Sequence, residues 1–175
     1  MINFKEGILE KLVTICQSAL PKKAFGVIAG QSSNRAEELY PLQTNLRPLD
    51  PEIKAMFEAY GEFYCDQDRG FWVEGDELID VTRQIEEKGQ QIVAIYHSHR
   101  CLCATPSQLD LDLHYDPDVL AVIVSLADPH SPEVRAFKMG RDSYQEVKIT
   151  KITVDSNVLD EIGDSSPSTI TPLYP

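Results

Sequence analysis

The chemistry in this chain is concentrated in one run, from His97, Ser98 and His99 through Arg100, Cys101, Leu102, Cys103, Ala104, Thr105 and Pro106 to Ser107, Gln108, Leu109 and Asp110. It sets two imidazoles, a hydroxyl and a carboxylate at fixed offsets directly after an apolar stretch. On an extended strand, side chains alternate, so His97 and His99 point to one side and Ser98 to the other. Their ring nitrogens can then converge on one ion. With Asp110 as a third ligand, a fourth position stays open for water, the arrangement of a catalytic rather than a structural zinc. Ser107 lies three residues before Asp110 on the same helical face and can donate a hydrogen bond to an oxygen that gains charge when water attacks a carbonyl. His114, four residues beyond Asp110, either supports a ligand from outside the first ring of contacts or is a solvated polar residue. Each residue alone has an ordinary structural explanation. Together at this spacing they should arise by chance in roughly one chain in several thousand at ordinary residue frequencies, so the pattern favours a metal site.

The elements that must position these groups follow from periodicity. Ile92–Tyr96 is a short continuous apolar run, read as a strand buried on both faces that ends where His97 begins. Thr105-Pro106-Ser107-Gln108 has a capping-box pattern with proline at the first helical position, which starts a helix near Pro106. Upstream, Ile8, Leu12, Ile15 and Ala19 predict an amphipathic helix over residues 4–20, stopped by Pro21. Ala24–Gly30 reads as a buried strand, Gln31–Arg35 as a polar turn and Glu37–Leu42 as a partner strand. Leu78, Val81 and Ile85 predict a helix over residues 75–88 with Gly89 as its stop. Past the site, 119–126, 134–139 and 144–154 read as further strands, and from Asp155 onward the Ser, Thr, Pro and acidic residues read as a flexible polar tail, 155–175.

Between Arg47 and Gly70 the pattern weakens, and Met56, Phe57, Tyr60, Phe63 and Tyr64 fall on one helical face. That aromatic stripe is either a protein-binding surface or cover for the core.

Length and charge bound the rest. At 175 residues the chain suits one domain with a sizeable core. A net charge of −12 repels phosphate backbones, and with no basic stripe to offset it, nucleic acid is not expected as a partner. No stretch has the apolar length of a membrane span, and the N-terminus lacks a charged-then-apolar leader, so the expected compartment is the cytoplasm and no membrane partner is expected. Cys16 reads as core. Cys101 and Cys103 are either small loop side chains or, in a structural zinc module, a source of the fourth ligand, although a lone C-x-C is a weak metal signature.

His97, His99, Ser107 and Asp110 spell H-x-H-x7-S-x2-D, and in this the chain resembles the JAMM, or MPN+, metalloproteases. Leu20-Pro21 followed by Gly26–Gly30, and Ile95–His99, are similar to the bacterial branch of that family. The resemblance covers residues 1 to about 140. It implies an α/β fold: a single MPN (JAB-like) domain over 1–154, with a mixed, curved β-sheet packed by helices and a variable insertion at 48–70 on the substrate-facing side. It also implies Zn2+ held by His97, His99 and Asp110, and a tetrahedral intermediate stabilised by Ser107. The implied reaction is cleavage of peptide or isopeptide bonds after the C-terminal glycines of ubiquitin-like proteins, small bacterial sulfur-carrier proteins included.

One position departs from the resembled pattern. The family carries P-x-E-x-x-G, where the glutamate shuttles the proton, whereas this chain reads Pro21-Lys22-Lys23-Ala24-Phe25-Gly26. Lys23 therefore occupies the general-base position, a role worth about 10² to 10⁴ in rate. Three accounts stand at this point: zinc alone sustains a slower hydrolase; Lys23 acts as base, or Glu37 or Glu38 replaces it; or the protein is a pseudo-enzyme that binds a ubiquitin-like partner as scaffold or regulator.

Overall fold

The structure is a computed structural model and describes residues 1–152. The expected tail, 155–175, and the end of the last expected strand lie outside the described residues.

The chain opens with β1 (Ile2–Lys5), whose Ile2 and Phe4 are fully buried. The expected helix over 4–20 is therefore shorter: α1 spans Ile8–Ala19 and buries Leu12 and Cys16. Burial pushes the Cys16 thiol up to about 12, so it is an inert core group. Next come β2 (Phe25–Gly30), β3 (Arg35–Ala36) and β4 (Glu38–Pro41). A side chain at Gly26 would place its Cβ 2.4 Å from the Tyr40 carbonyl oxygen and 2.7 Å from the Tyr96 ring, so glycine is what lets the strands close here.

After α2 (Pro51–Glu58), Gly61 at φ +114° breaks the helical path, and two 3-10 turns follow at Glu62–Cys65 and Gln67–Arg69. The aromatic stripe is thus not one helical face. Phe57 is buried while Tyr60 and Phe63 are exposed, and Tyr64 packs edge-on to both of the exposed rings. α3 (Gly75–Glu87) ends as expected at Gly89, whose φ of +66° is the left-handed turn a helix stop needs.

β5 (Gln91–His99) extends three residues past the expected strand and carries both histidines; α4 (Gln108–Asp112) and β6 (Leu120–Ser125) follow. β7 (Glu133–Met139) is as expected, but 144–154 is two strands, β8 (Tyr144–Val147) and β9 (Ile149–Ile152). They part at Lys148 because they belong to different sheets. β9 joins a small parallel sheet in the order β3-β1-β9, while β8 is the edge of a mixed sheet in the order β4-β2-β5-β6-β7-β8. In the larger sheet only the β5–β6 pair is parallel.

α1 covers one face of the large sheet, packing with Ile28, Ala94, Tyr96, Val122 and Ala136. On the other face α3 covers Phe25, Val27 and Ala29, while Leu111 of α4 packs with Ala121, Ile123 and Phe137. The result is the expected α/β class, a mixed sheet packed by helices. Among the described residues no helix is long and apolar enough to cross a membrane.

Candidate metal centre

β5 runs at the centre of the sheet, between β2, where His97 is paired with Phe25, and β6, where His97 is paired with Ile123 and His99 with Ser125. Flanking strands on both sides fix the backbone, and alternation sends both buried imidazoles to one face. Ser98 turns the other way and accepts a hydrogen bond from Ala24 N–H at 2.9 Å, tying the strand to the residue after Lys23.

Asp110 arrives from the helix that follows. The expected cap over Thr105–Gln108 lies two residues further on: Ser107 is the N-cap and Asp110 completes the capping box. The Ser107 hydroxyl accepts from Asp110 N–H at 3.2 Å and donates to Asp110 Oδ2 at 2.7 Å, and Ser107 N–H donates to the same oxygen at 2.7 Å. Ser-x-x-Asp thus outcompetes the Thr105 pattern, because its carboxylate reaches back to the cap amide. That reach also aims the carboxylate at the sheet. His97 Nε2 is 3.1 Å from His99 Nε2 and 3.3 Å from Asp110 Oδ1, and His99 Nε2 is 3.8 Å from Asp110 Oδ2.

Burial pushes both imidazoles below their ordinary values, His97 furthest, so both rings are neutral near pH 7. His99 Nδ1 donates to the Cys103 carbonyl at 2.9 Å, which assigns its proton and leaves a lone pair on Nε2. Burial opposes the charge of Asp110, but His97, Lys23 and the two Ser107 donors outweigh it and hold the carboxyl well below its usual range. Two neutral ring nitrogens and an ionised carboxylate, all within 4.8 Å of one another, are donors that could hold a metal ion. Ligand atoms about 2.0–2.1 Å from a tetrahedral ion stand roughly 3.3 Å apart, close to the His97–His99 and His97–Asp110 separations, while the His99–Asp110 distance, to the other carboxylate oxygen, is longer. The residues present fit a divalent transition-metal ion.

The same pKa directions predict how the metal-free protein responds to acid. The unfolded chain's histidines protonate near pH 6.5, whereas the folded ones resist it, so below that pH the unfolded state binds more protons. Stability is therefore expected to fall between about pH 7 and pH 5, by up to about 1.4 kcal/mol per pH unit for each histidine. Asp110 titrates below this window and leaves it unaffected. Urea unfolding of chelator-treated protein at the two pH values measures it, and equal stabilities would contradict the neutral-ring assignment.

Lys23 lies just before β2, with its ammonium 5.6 Å from the Phe71 ring centre and its field acting on His97, His99 and Asp110. Burial lowers its pKa; the Asp110 carboxylate opposes that shift and Arg47 adds to it. Glu37 and Glu38, the alternatives to Lys23, are engaged elsewhere: Glu37 with Gln31 N–H and Arg35, Glu38 with Lys88. Cys101 and Cys103 are exposed, and neither joins the three converging side chains, which speaks against a structural zinc module. The Cys103 thiol lies 2.9 Å from the Thr105 hydroxyl instead. His114 bonds through Nε2 to the Val119 carbonyl at 2.9 Å, not to Asp110.

The 47–70 segment brings groups that periodicity did not point to. Tyr64 donates through its hydroxyl to the Ser107 hydroxyl at 3.3 Å, and Tyr60 to Asp112 at 2.8 Å. Arg100, the residue after His99, pairs with Asp66 at 2.7 Å. Beneath them Arg47 is 1% exposed, and its guanidinium donates to the Tyr64 and Asp66 carbonyls. A lone arginine beside a proline carries no sequence signal of such burial. Arg47→Ala is expected to cost about 1–3 kcal/mol, because those carbonyls lose their donors; the shift in urea midpoint checks it.

Two recesses flank the triad. One, of about 40 Å³, is bounded by His99, Ser107, Tyr64 and Arg100; the other, of about 340 Å³, has His97 and Asp110 in its wall, and Lys23 borders both.

Residues 5–140 match the family model described as prokaryotic homologs of the JAB domain. A Mycobacterium tuberculosis protein named CysO-cysteine peptidase is 33% identical over 140 residues, covering 79% of this chain and 83% of that one. A solution structure from Desulfitobacterium hafniense superposes with TM-score 0.67 at 24% identity, covering 87% of this chain and 93% of that chain. A second, from Salinibacter ruber, has TM-score 0.57 at 23% identity, covering 88% and 94%. These two likenesses establish a shared fold.

Proposed function

This chain belongs to the family of prokaryotic homologs of the JAB domain, and from that membership we propose that it is a zinc-dependent peptidase or isopeptidase. On this reading it cleaves after the C-terminal glycines of a small ubiquitin-like or sulfur-carrier protein. The observation that carries the reading is the convergence of His97 Nε2, His99 Nε2 and the Asp110 carboxylate beside the Ser107 hydroxyl. The name of the mycobacterial relative supports a substrate made of a carrier and an added amino acid.

His97, His99 and Asp110 would hold the ion. Zinc, when bound, supplies Lewis acidity: it polarises a carbonyl and lowers the pKa of a coordinated water to about 7. The chain's own groups do the rest. The 40 Å³ recess has room for a backbone but little for side chains, so it suits glycines. The single hydroxyl proton of Ser107, given to Asp110 Oδ2 in the free protein, turns to the oxygen of the attacked carbonyl, while Ser107 N–H keeps its bond to that carboxylate and Tyr64 holds Oγ from the other side. Lys23 Nζ, with its pKa lowered by burial, takes a proton in its neutral form and passes it to the departing amine.

One observation favours a second reading, a binder that does not cut: Lys23 stands where the resembled family carries glutamate. The test incubates zinc-loaded protein with a carrier extended beyond its terminal Gly-Gly and follows release by mass spectrometry. Cleavage at that bond is expected. No cleavage by wild type, with cleavage by Lys23→Glu, would establish the second reading instead.

A further inference from the structure

The triad sits on a divide between two spaces of very different size. Ser107 borders the narrow recess, so the carbonyl that gains negative charge, which belongs to the residue before the cut bond, lies on that side. The departing nitrogen and the residue it belongs to then lie on the other side, over the 340 Å³ cavity. That volume falls within the range of specific small-ligand pockets, about 300–1,000 Å³. Val27, Ile95 and Ala121 of the sheet line it together with Phe57, Phe71 and Trp72. Lys23, His97 and Asp110 stand at the end nearest the triad; away from them the lining offers a charged side chain no ionic partner, whereas an apolar one exchanges water for matching surface. His114, a polar group in the lining, already has its ring bonded to Val119.

We propose that this cavity receives the side chain of the residue that follows the cut bond, and that this residue is large and apolar, of the phenylalanine, leucine or methionine class. The proposal rests on the peptidase reading above for the direction of the substrate, and it adds a specificity which that reading does not contain. A small side chain such as cysteine or glycine would leave most of the space unfilled.

Trp72 is the chain's one tryptophan and stands in the cavity wall, so its fluorescence reports on the cavity without any turnover. Zinc-loaded protein is titrated with phenylalanine amide, glycine amide and aspartic acid amide, each presenting the free amine of a departing residue. A saturable change is expected with phenylalanine amide at a concentration at least about tenfold lower than with the other two. The change should disappear in Ala121→Leu, which fills the cavity from the sheet, with circular dichroism confirming the fold. If that variant does not fold, Leu113→Phe fills the space from the residue that follows α4. No response to phenylalanine amide, or an equal response to glycine or aspartic acid amide, overturns the proposal. A parallel series of carrier fusions ending Gly-Gly-Phe and Gly-Gly-Asp separates the two readings. Cleavage of neither fails the peptidase reading and leaves the fluorescence result to decide the cavity, while equal cleavage of both overturns the cavity proposal alone.

Discussion

Asp110→Ala is expected to leave the protein unable to retain zinc through gel filtration and to bring peptidase activity down to background. Three effects act together. The charged member of the donor set is lost, and with it the attraction that a dication requires in a buried site. Groups that merely orient a metal ligand are worth about 10–100-fold in metal affinity, so a ligand itself should cost more. The capping box also loses its carboxylate, which frees Ser107 to rotate and costs α4 about 1 kcal/mol. Asp110→Asn separates these contributions, since it keeps the shape and an acceptor oxygen for the cap while removing the charge. Metal content by elemental analysis decides the matter: a full equivalent of zinc in Asp110→Ala would remove Asp110 from the ligand set.

Lys23→Ala should lower kcat by about 10² to 10⁴ with zinc content unchanged, the span that a positioned proton carrier is worth. On the proposed mechanism the neutral amine is the active form, and burial lowers its pKa from the ordinary lysine value. Wild-type activity should therefore climb with pH until that amine is deprotonated, and then level off. In Lys23→Glu the climb should move to the carboxylate range, well below neutrality, and turnover at pH 7 should equal or exceed that of wild type. A Lys23→Ala variant that turns over like wild type would leave Lys23 with no part in proton transfer.

The convergence of His97, His99 and Asp110 was legible because each depends on a local rule. Strand alternation pairs His97 with His99, and the return of a side chain to its own helix cap brings Asp110 back toward the sheet. Neither rule needs knowledge of distant residues. What stayed hidden rests on partners far away in the chain. β1 is too short to show a period, and its identity comes from pairing with β3 and β9. The break at Lys148 is invisible in a continuous run of strand-forming residues, because it reflects which sheet each half joins. Tyr64, Arg100 and Arg47 meet at the site through a segment whose helical periodicity ends at Gly61. The helix that carries Asp110 was correctly expected but placed two residues early, since two overlapping cap patterns compete and only the Asp110 carboxylate closes one.

The grip of Arg47 on the 47–70 segment is made on the carbonyls of Tyr64 and Asp66, not on their side chains. Every residue type carries a carbonyl, so most substitutions at those two positions leave the anchor intact. Mutational tolerance and positional accuracy are thereby separated in one short stretch. The side chains of this segment can change while Arg47 keeps hold of its backbone from within.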